Sequence, residues 1–199
     1  YIFSVHRQGV AMCIIYYAII LIHEDKLFRY TLLVILASLF HKIAIILIQL
    51  YFFIRKEFKV SVLFYMVVIV LFISSFDLIG IVIKWCNENF SNVAVFRWVF
   101  HYYFNKHDAN LKMSAIPYMQ RAIMLFILFL FYKRIPYTYS NLLLLYVSLF
   151  FIFSNVGVLA NRVSGILLVS YAIFFSALIC NLKFNRNRLL IILYMFFLT

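Results

Sequence analysis

Apolar stretches of the length needed to cross a bilayer recur along this chain, separated by short basic segments. They fall at residues 9–22, 31–53, 61–83, 119–132, 141–159 and 163–180, and a further one begins at Leu189; a full crossing takes about 20 residues. Backbone polar groups in hydrocarbon must bond within their own segment, and the alternating pattern of a barrel strand is absent, so each stretch is read as a helix. With 67% of its residues hydrophobic and only 12% charged, the chain has far more apolar surface than one soluble core absorbs. The expected fold is all-α, a polytopic transmembrane bundle of six to seven spans forming one membrane domain over residues 1–199. Tyr1 at the start and Thr199 inside an apolar run predict a fragment, with further spans outside it. No cleavable leader is visible.

Charge sets the second constraint. Eighteen Lys and Arg stand against six Asp and Glu, and the surplus cations need external counterions. Anionic headgroups on the cytoplasmic side are the expected partner. Nucleic acid is excluded, because the cations are scattered between spans and form no continuous stripe. The short basic segments at 54–59, 133–134 and 183–188 are placed in the cytoplasm. The long connection at 84–118 mixes Trp98, Tyr102 and Tyr103 with Arg97, His101 and Lys106; it reads as an amphipathic loop on the outer face. Cys13, Cys86 and Cys180 show no paired spacing and are expected to be buried packing residues.

The stretch 31–53 carries His41 and Lys42 at its centre. One straight helix would bring Lys42 near mid-bilayer, at an insertion cost of about 2.5–3.5 kcal/mol. A broken pair of half-helices would return to the side it came from, moving Lys26 and Arg29 to the cytoplasm. Counting basic residues does not separate the two. The broken form is the expectation, since it gathers the polar residues on one outer face.

Few side chains carry chemistry. Arg7 and Gln8 open the first span; Arg7 is either an interfacial anchor or a forked donor to phosphate oxygens. His41 is either hydrogen-bonded to a neighbouring helix or a proton acceptor. Asn161 and Arg162 introduce a later span in the same manner, and Arg121 lies one turn inside another. Asp77, Glu88 and Asp108 are the acidic candidates. No phosphate-binding glycine loop, HExxH, GxSxG or Cys/His cluster occurs, so neither a metal nor another cofactor is expected.

The run from His6 to Phe53 resembles the EpsG family, bacterial polysaccharide polymerases related to O-antigen polymerases. The likeness rests on Arg7-Gln8 with Ala11 at a span entrance, a short charged turn, then Phe40-His41 with Ala44 close behind. Where the family often has Ser, Ile43 stands. Asn161-Arg162 followed by Tyr171 resembles the family's second Arg-bearing entrance. The resemblance implies a multi-pass protein of the bacterial cytoplasmic membrane, similar to GT-C-like glycosyltransferases, that joins polyprenyl-diphosphate-linked oligosaccharide units on the outer face. It implies that Arg7 and Arg162 grip the diphosphate and that His41 accepts the acceptor's hydroxyl proton or orients it. Gln8, Asn161 and Arg121 would contact substrate. Trp98, Tyr102 and Tyr103 would stack on sugars or form an interfacial belt. A flippase and a chain-length regulator are the implied protein partners. A lipid-linked oligosaccharide transporter and a membrane O-acyltransferase are the competing readings.

Overall fold

The computed structural model of the chain describes residues 2–90, 115–155 and 157–181. Every regular element among them is helical: α1 (Ile2–His23), α2 (Leu27–Phe40), α3 (Ile46–Arg55), α4 (Val60–Ser75), α5 (Leu78–Phe90), α6 (Ala115–Phe131), α7 (Tyr137–Ile152), α8 (Gly157–Gly165) and α9 (Leu168–Asn181). Two 3-10 turns accompany them, at Lys42–Ile45 before α3 and at Tyr132–Arg134 after α6. The helices form two compact units. One contains α1–α3, α6 from Phe126 onward, α7 up to Tyr146, and α9; the other contains α4, α5, the rest of α6 and α7, and α8.

Several of these helices lack a polar face. α4 buries Leu63 and Val67 yet exposes Phe64, Tyr65, Ile69 and Phe72, a pattern suited to an apolar solvent. Among the described residues, one stretch, Ala115–Arg134, is long and apolar enough to cross a bilayer unbroken. α4 and α5 meet the same criterion as a pair bent by 57°, while the apolar helices at 6–22, 27–40, 137–152 and 168–181 are shorter. The all-helical expectation holds; the expected six to seven crossings exceed these. Spans read as continuous at 61–83 and 163–180 are broken at Phe76–Asp77 and Ile166–Leu167.

In the first unit, α1 packs along α2 as a hairpin. The buried positions recur at helical spacing, Ala11, Ile15, Ala18 and Ile22 on α1 and Tyr30, Val34 and Ala37 on α2. Small residues among them let the two backbones approach, which is what drives helix association where lipid already satisfies apolar surface. The turn is Glu24-Asp25-Lys26, with Asp25 at φ +58°, a conformation that Asp tolerates better than most residues. Lys26 donates to the Glu24 carboxylate and thereby holds that carboxyl below its ordinary pKa.

α2 ends at Phe40, and His41 is extended, at φ −144° and ψ 99°. The chain then reverses. The Tyr30 hydroxyl donates to the Leu47 carbonyl at 2.7 Å across 17 residues, a separation of about 25 Å in a continuous helix. The rings of Tyr30 and Tyr51 lie 5.0 Å apart, and Arg55 at the end of α3 pairs with Asp25 at the start of α2. An exposed ion pair of this kind adds little stability; its value lies in marking where the chain has come back to. Of the two readings of 31–53, the broken and returning one is correct.

The end of α3 is held from α7. Asn141 is fully buried, and its Nδ2 lies 3.3, 3.0 and 2.8 Å from the carbonyls of Phe53, Ile54 and Lys56, at a helix end where backbone donors run out. Beside it, the Phe58 N–H donates to the Tyr132 hydroxyl at 3.3 Å. Replacing Asn141 by Leu is expected to destabilise the protein by roughly 1–3 kcal/mol by stranding those carbonyls. Thermal unfolding in detergent checks this, and an unchanged midpoint contradicts it.

Candidate functional site

The α1–α2 hairpin decides which polar residues share an end. Gly9 and His41 lie sixteen residues before and after Asp25, so antiparallel packing brings Arg7 and Gln8 to the level of His41. Arg7 precedes Ala11 by one turn of α1, and His41 directly follows the last residue of α2. Arg7 is exposed and His41 half-buried. Lys42, also exposed, opens the 3-10 turn at the same tip.

The backbone of His41 itself is bonded on both sides of the break. His41 donates its N–H to Ala37 at 2.9 Å and accepts from Ala44 at 2.9 Å. His41 thus stands on an interrupted backbone at the level of the end of α1 that carries Arg7. Such an arrangement can hold an anion and move a proton beside it.

The second unit has a polar end of its own. Asp77 sits at φ +48° between α4 and α5, and its Oδ1 accepts from the Gly80 N–H at 3.3 Å and from Asn155 Nδ2 at 3.2 Å. Asn155 also donates to the Ser74 carbonyl at 2.9 Å, and the hydroxyls of Ser74 and Ser154 are 3.0 Å apart. The side chain of Tyr118 on α6 donates to the Ser154 carbonyl at 3.4 Å. Arg121 lies with its guanidinium carbon 4.1 Å from the centre of the Phe150 ring and donates to Pro117 at 3.3 Å. Asn161, exposed, and Arg162 stand one turn inside α8.

The sequence-predicted residues thus divide. Arg7, Gln8 and His41 come together in one unit; Arg121, Asn161 and Arg162 belong to the other. Trp98, Tyr102, Tyr103 and Asp108 lie outside the described residues, as does most of the loop at 84–118, whose first and last parts belong to α5 and α6. Burial of the cysteines is not what is found: Cys13 and Cys180 are exposed and Cys86 half-exposed, since a small apolar side chain is at home against lipid. Among the described residues no three His, Cys, Asp or Glu gather as metal ligands.

A model of the EpsG family matches residues 1–199. The chain belongs to the EpsG family. No curated protein and no solved structure matches it. As an EpsG-family member it is a membrane protein associated with exopolysaccharide production, and the polar ends of both units lie on residues the family model covers.

Asp77 and Asn155 were missed as a structural pair. Asp77 three residues before Gly80, inside an otherwise apolar run, is a helix-start signal that marks the break in this EpsG-family chain. Replacing Asp77 by Ala is expected to cost about 0.5–2 kcal/mol through loss of the α5 cap, and replacing it by Asn much less. Equal unfolding midpoints for the Ala variant and the wild type would contradict this assignment.

Proposed function

We propose that this EpsG-family protein is a polysaccharide polymerase, a multi-pass glycosyltransferase of the bacterial cytoplasmic membrane with six to seven spans of GT-C-like character in this stretch. It joins polyprenyl-diphosphate-linked oligosaccharide units of an exopolysaccharide, capsule or O-antigen on the outer face. The observation that supports this reading is the common level of Arg7, Gln8 and His41 at the open end of the α1–α2 hairpin. A guanidinium that keeps its charge at any biological pH stands at the level of an imidazole, a side chain able to accept a proton.

In the proposed reaction a hydroxyl of the acceptor unit attacks the anomeric carbon of the growing chain. The new glycosidic bond forms as the bond to the diphosphate oxygen breaks, and polyprenyl diphosphate leaves with the electron pair. His41 takes the hydroxyl proton. Arg7 meets the charge growing on the leaving group, and Arg162 keeps the role that the resemblance gives it, a second cation for the same diphosphate. Gln8, Asn161 and Arg121 contact the substrate, and Trp98, Tyr102 and Tyr103 offer ring faces to sugars. A flippase delivering the units and a chain-length regulator are the proposed protein partners.

Alanine at Arg7, His41 or Arg162 is expected to lower polymerisation by roughly 10²–10³-fold, the usual loss for a group that meets transition-state charge. Gel analysis of glycan length together with the lipid-linked pool checks it. Single repeat units accumulating on the carrier outside the membrane support the polymerase. Units trapped inside would point to a transporter, and unchanged glycan length with lost acyl groups to an O-acyltransferase; either result overturns the reading.

A further inference from the structure

The opposite end of the first unit carries a second concentration of charge. The Asp25–Arg55 pair brings the α1–α2 turn to the end of α3. Asn141 and the Phe58–Tyr132 hydrogen bond bring the segment after α3 to the end of α6. Lys26, Arg29, Arg55, Lys56, Lys133 and Arg134 therefore share one end, all of them exposed, with Glu24, Asp25 and Glu57 as the acidic groups there. Six cations against three anions leave this end at +3. Glu24 is engaged by Lys26 and Asp25 by Arg55.

What surrounds these cations points to the nature of the missing anion. Lys56 and Arg134 each stand four residues after a strongly exposed apolar residue in the last turns of a helix, Phe52 at 70% and Leu130 at 58% exposure, and Arg29 sits beside Phe28 at 76%. Leu32 and Leu39 continue the exposed face of α2 away from Arg29. Lys56 and Arg134 also lie 5.6 and 5.8 Å from the ring centres of Phe58 and Phe131, contacts that hold ammonium and guanidinium groups near aromatic edges of the apolar band. A soluble anion would need only the charge. Exposed apolar flanks with cations at or just past the ends of three helices match a molecule with acyl chains below and a phosphate above.

We propose that this end of the first unit binds the headgroups of anionic phospholipids, with Arg29, Lys56, Lys133 and Arg134 as the contacts that remain after internal pairing. The site lies at the far end of the α1–α2 hairpin from Arg7 and His41 and does not depend on the polymerase reading.

The test uses the full chain in nanodiscs of phosphatidylcholine containing about a third phosphatidylglycerol, a fraction chosen to resemble an anionic leaflet. Native mass spectrometry then counts the lipids retained. The wild type is expected to keep phosphatidylglycerol in preference to phosphatidylcholine, and each charge removed among Arg29→Gln, Lys56→Gln, Lys133→Gln and Arg134→Gln to lower that preference about fivefold. Lys84→Gln, an exposed cation on α5 of the other unit, leaves it unchanged. Should the fourfold variant lose its helical circular dichroism, the single variants Lys56→Gln and Arg134→Gln carry the test. Equal retention of the two lipids by the wild type overturns the proposal. So does undiminished phosphatidylglycerol retention in folded variants, in which case the patch serves another anionic partner, such as an acidic protein.

Discussion

A helix interrupted in a membrane protein must offer its freed backbone groups other partners, and at His41 the N–H donates to Ala37 while the carbonyl accepts from Ala44. The extended residue and the 3-10 turn that follows it reverse the chain. The rest of the first unit depends on that reversal. It lets Tyr30 reach the Leu47 carbonyl, stacks Tyr30 against Tyr51 and returns Arg55 to Asp25. Had α2 run straight on through Lys42, a cation would sit in mid-membrane and the basic segment after α3 would emerge on the other side.

The same reversal sorts the charges by chemistry. Arg7, His41 and Lys42 stand at the tip, where α1 and α2 part. Lys26, Arg29, Arg55 and Lys56 stand at the base, where the turn meets the end of α3. α2 has 14 residues, about 21 Å of helix, so the two groups are separated by most of a hydrocarbon thickness. A chain with so few acidic side chains thus keeps two cationic sets apart, one suited to a reacting diphosphate and one to lipid headgroups.

Much of this was legible in the letters. Run lengths and the missing strand alternation gave the all-helical fold, and His41-Lys42 flagged a break because two ionisable residues at a span centre are costly as a straight helix. The sequence order Arg7-Gln8 and Phe40-His41 carried the family, which the match over residues 1–199 bears out. Other features lay beyond reach. The break at Asp77 left a helix-start signal in the sequence, Asp77 three residues before Gly80, but the pairing with Asn155, 78 residues away, did not. Asn141 looks like a routine polar residue near a span entrance until its amide is seen closing α3 across 87 residues. Both act through contacts that are distant in sequence, and one sequence does not report such contacts.

The return of α3 along α2 is measured most directly by double electron–electron resonance between spin labels at Phe28 and Phe52, both strongly exposed, with Cys13, Cys86 and Cys180 replaced by Ser. The folded-back segment gives a distance distribution centred below about 25 Å, whereas 24 residues of one continuous helix give about 36 Å. A distribution centred at the longer value would contradict the reversal, and with it the placement of Arg7 and His41 at one end and the basic cluster at the other.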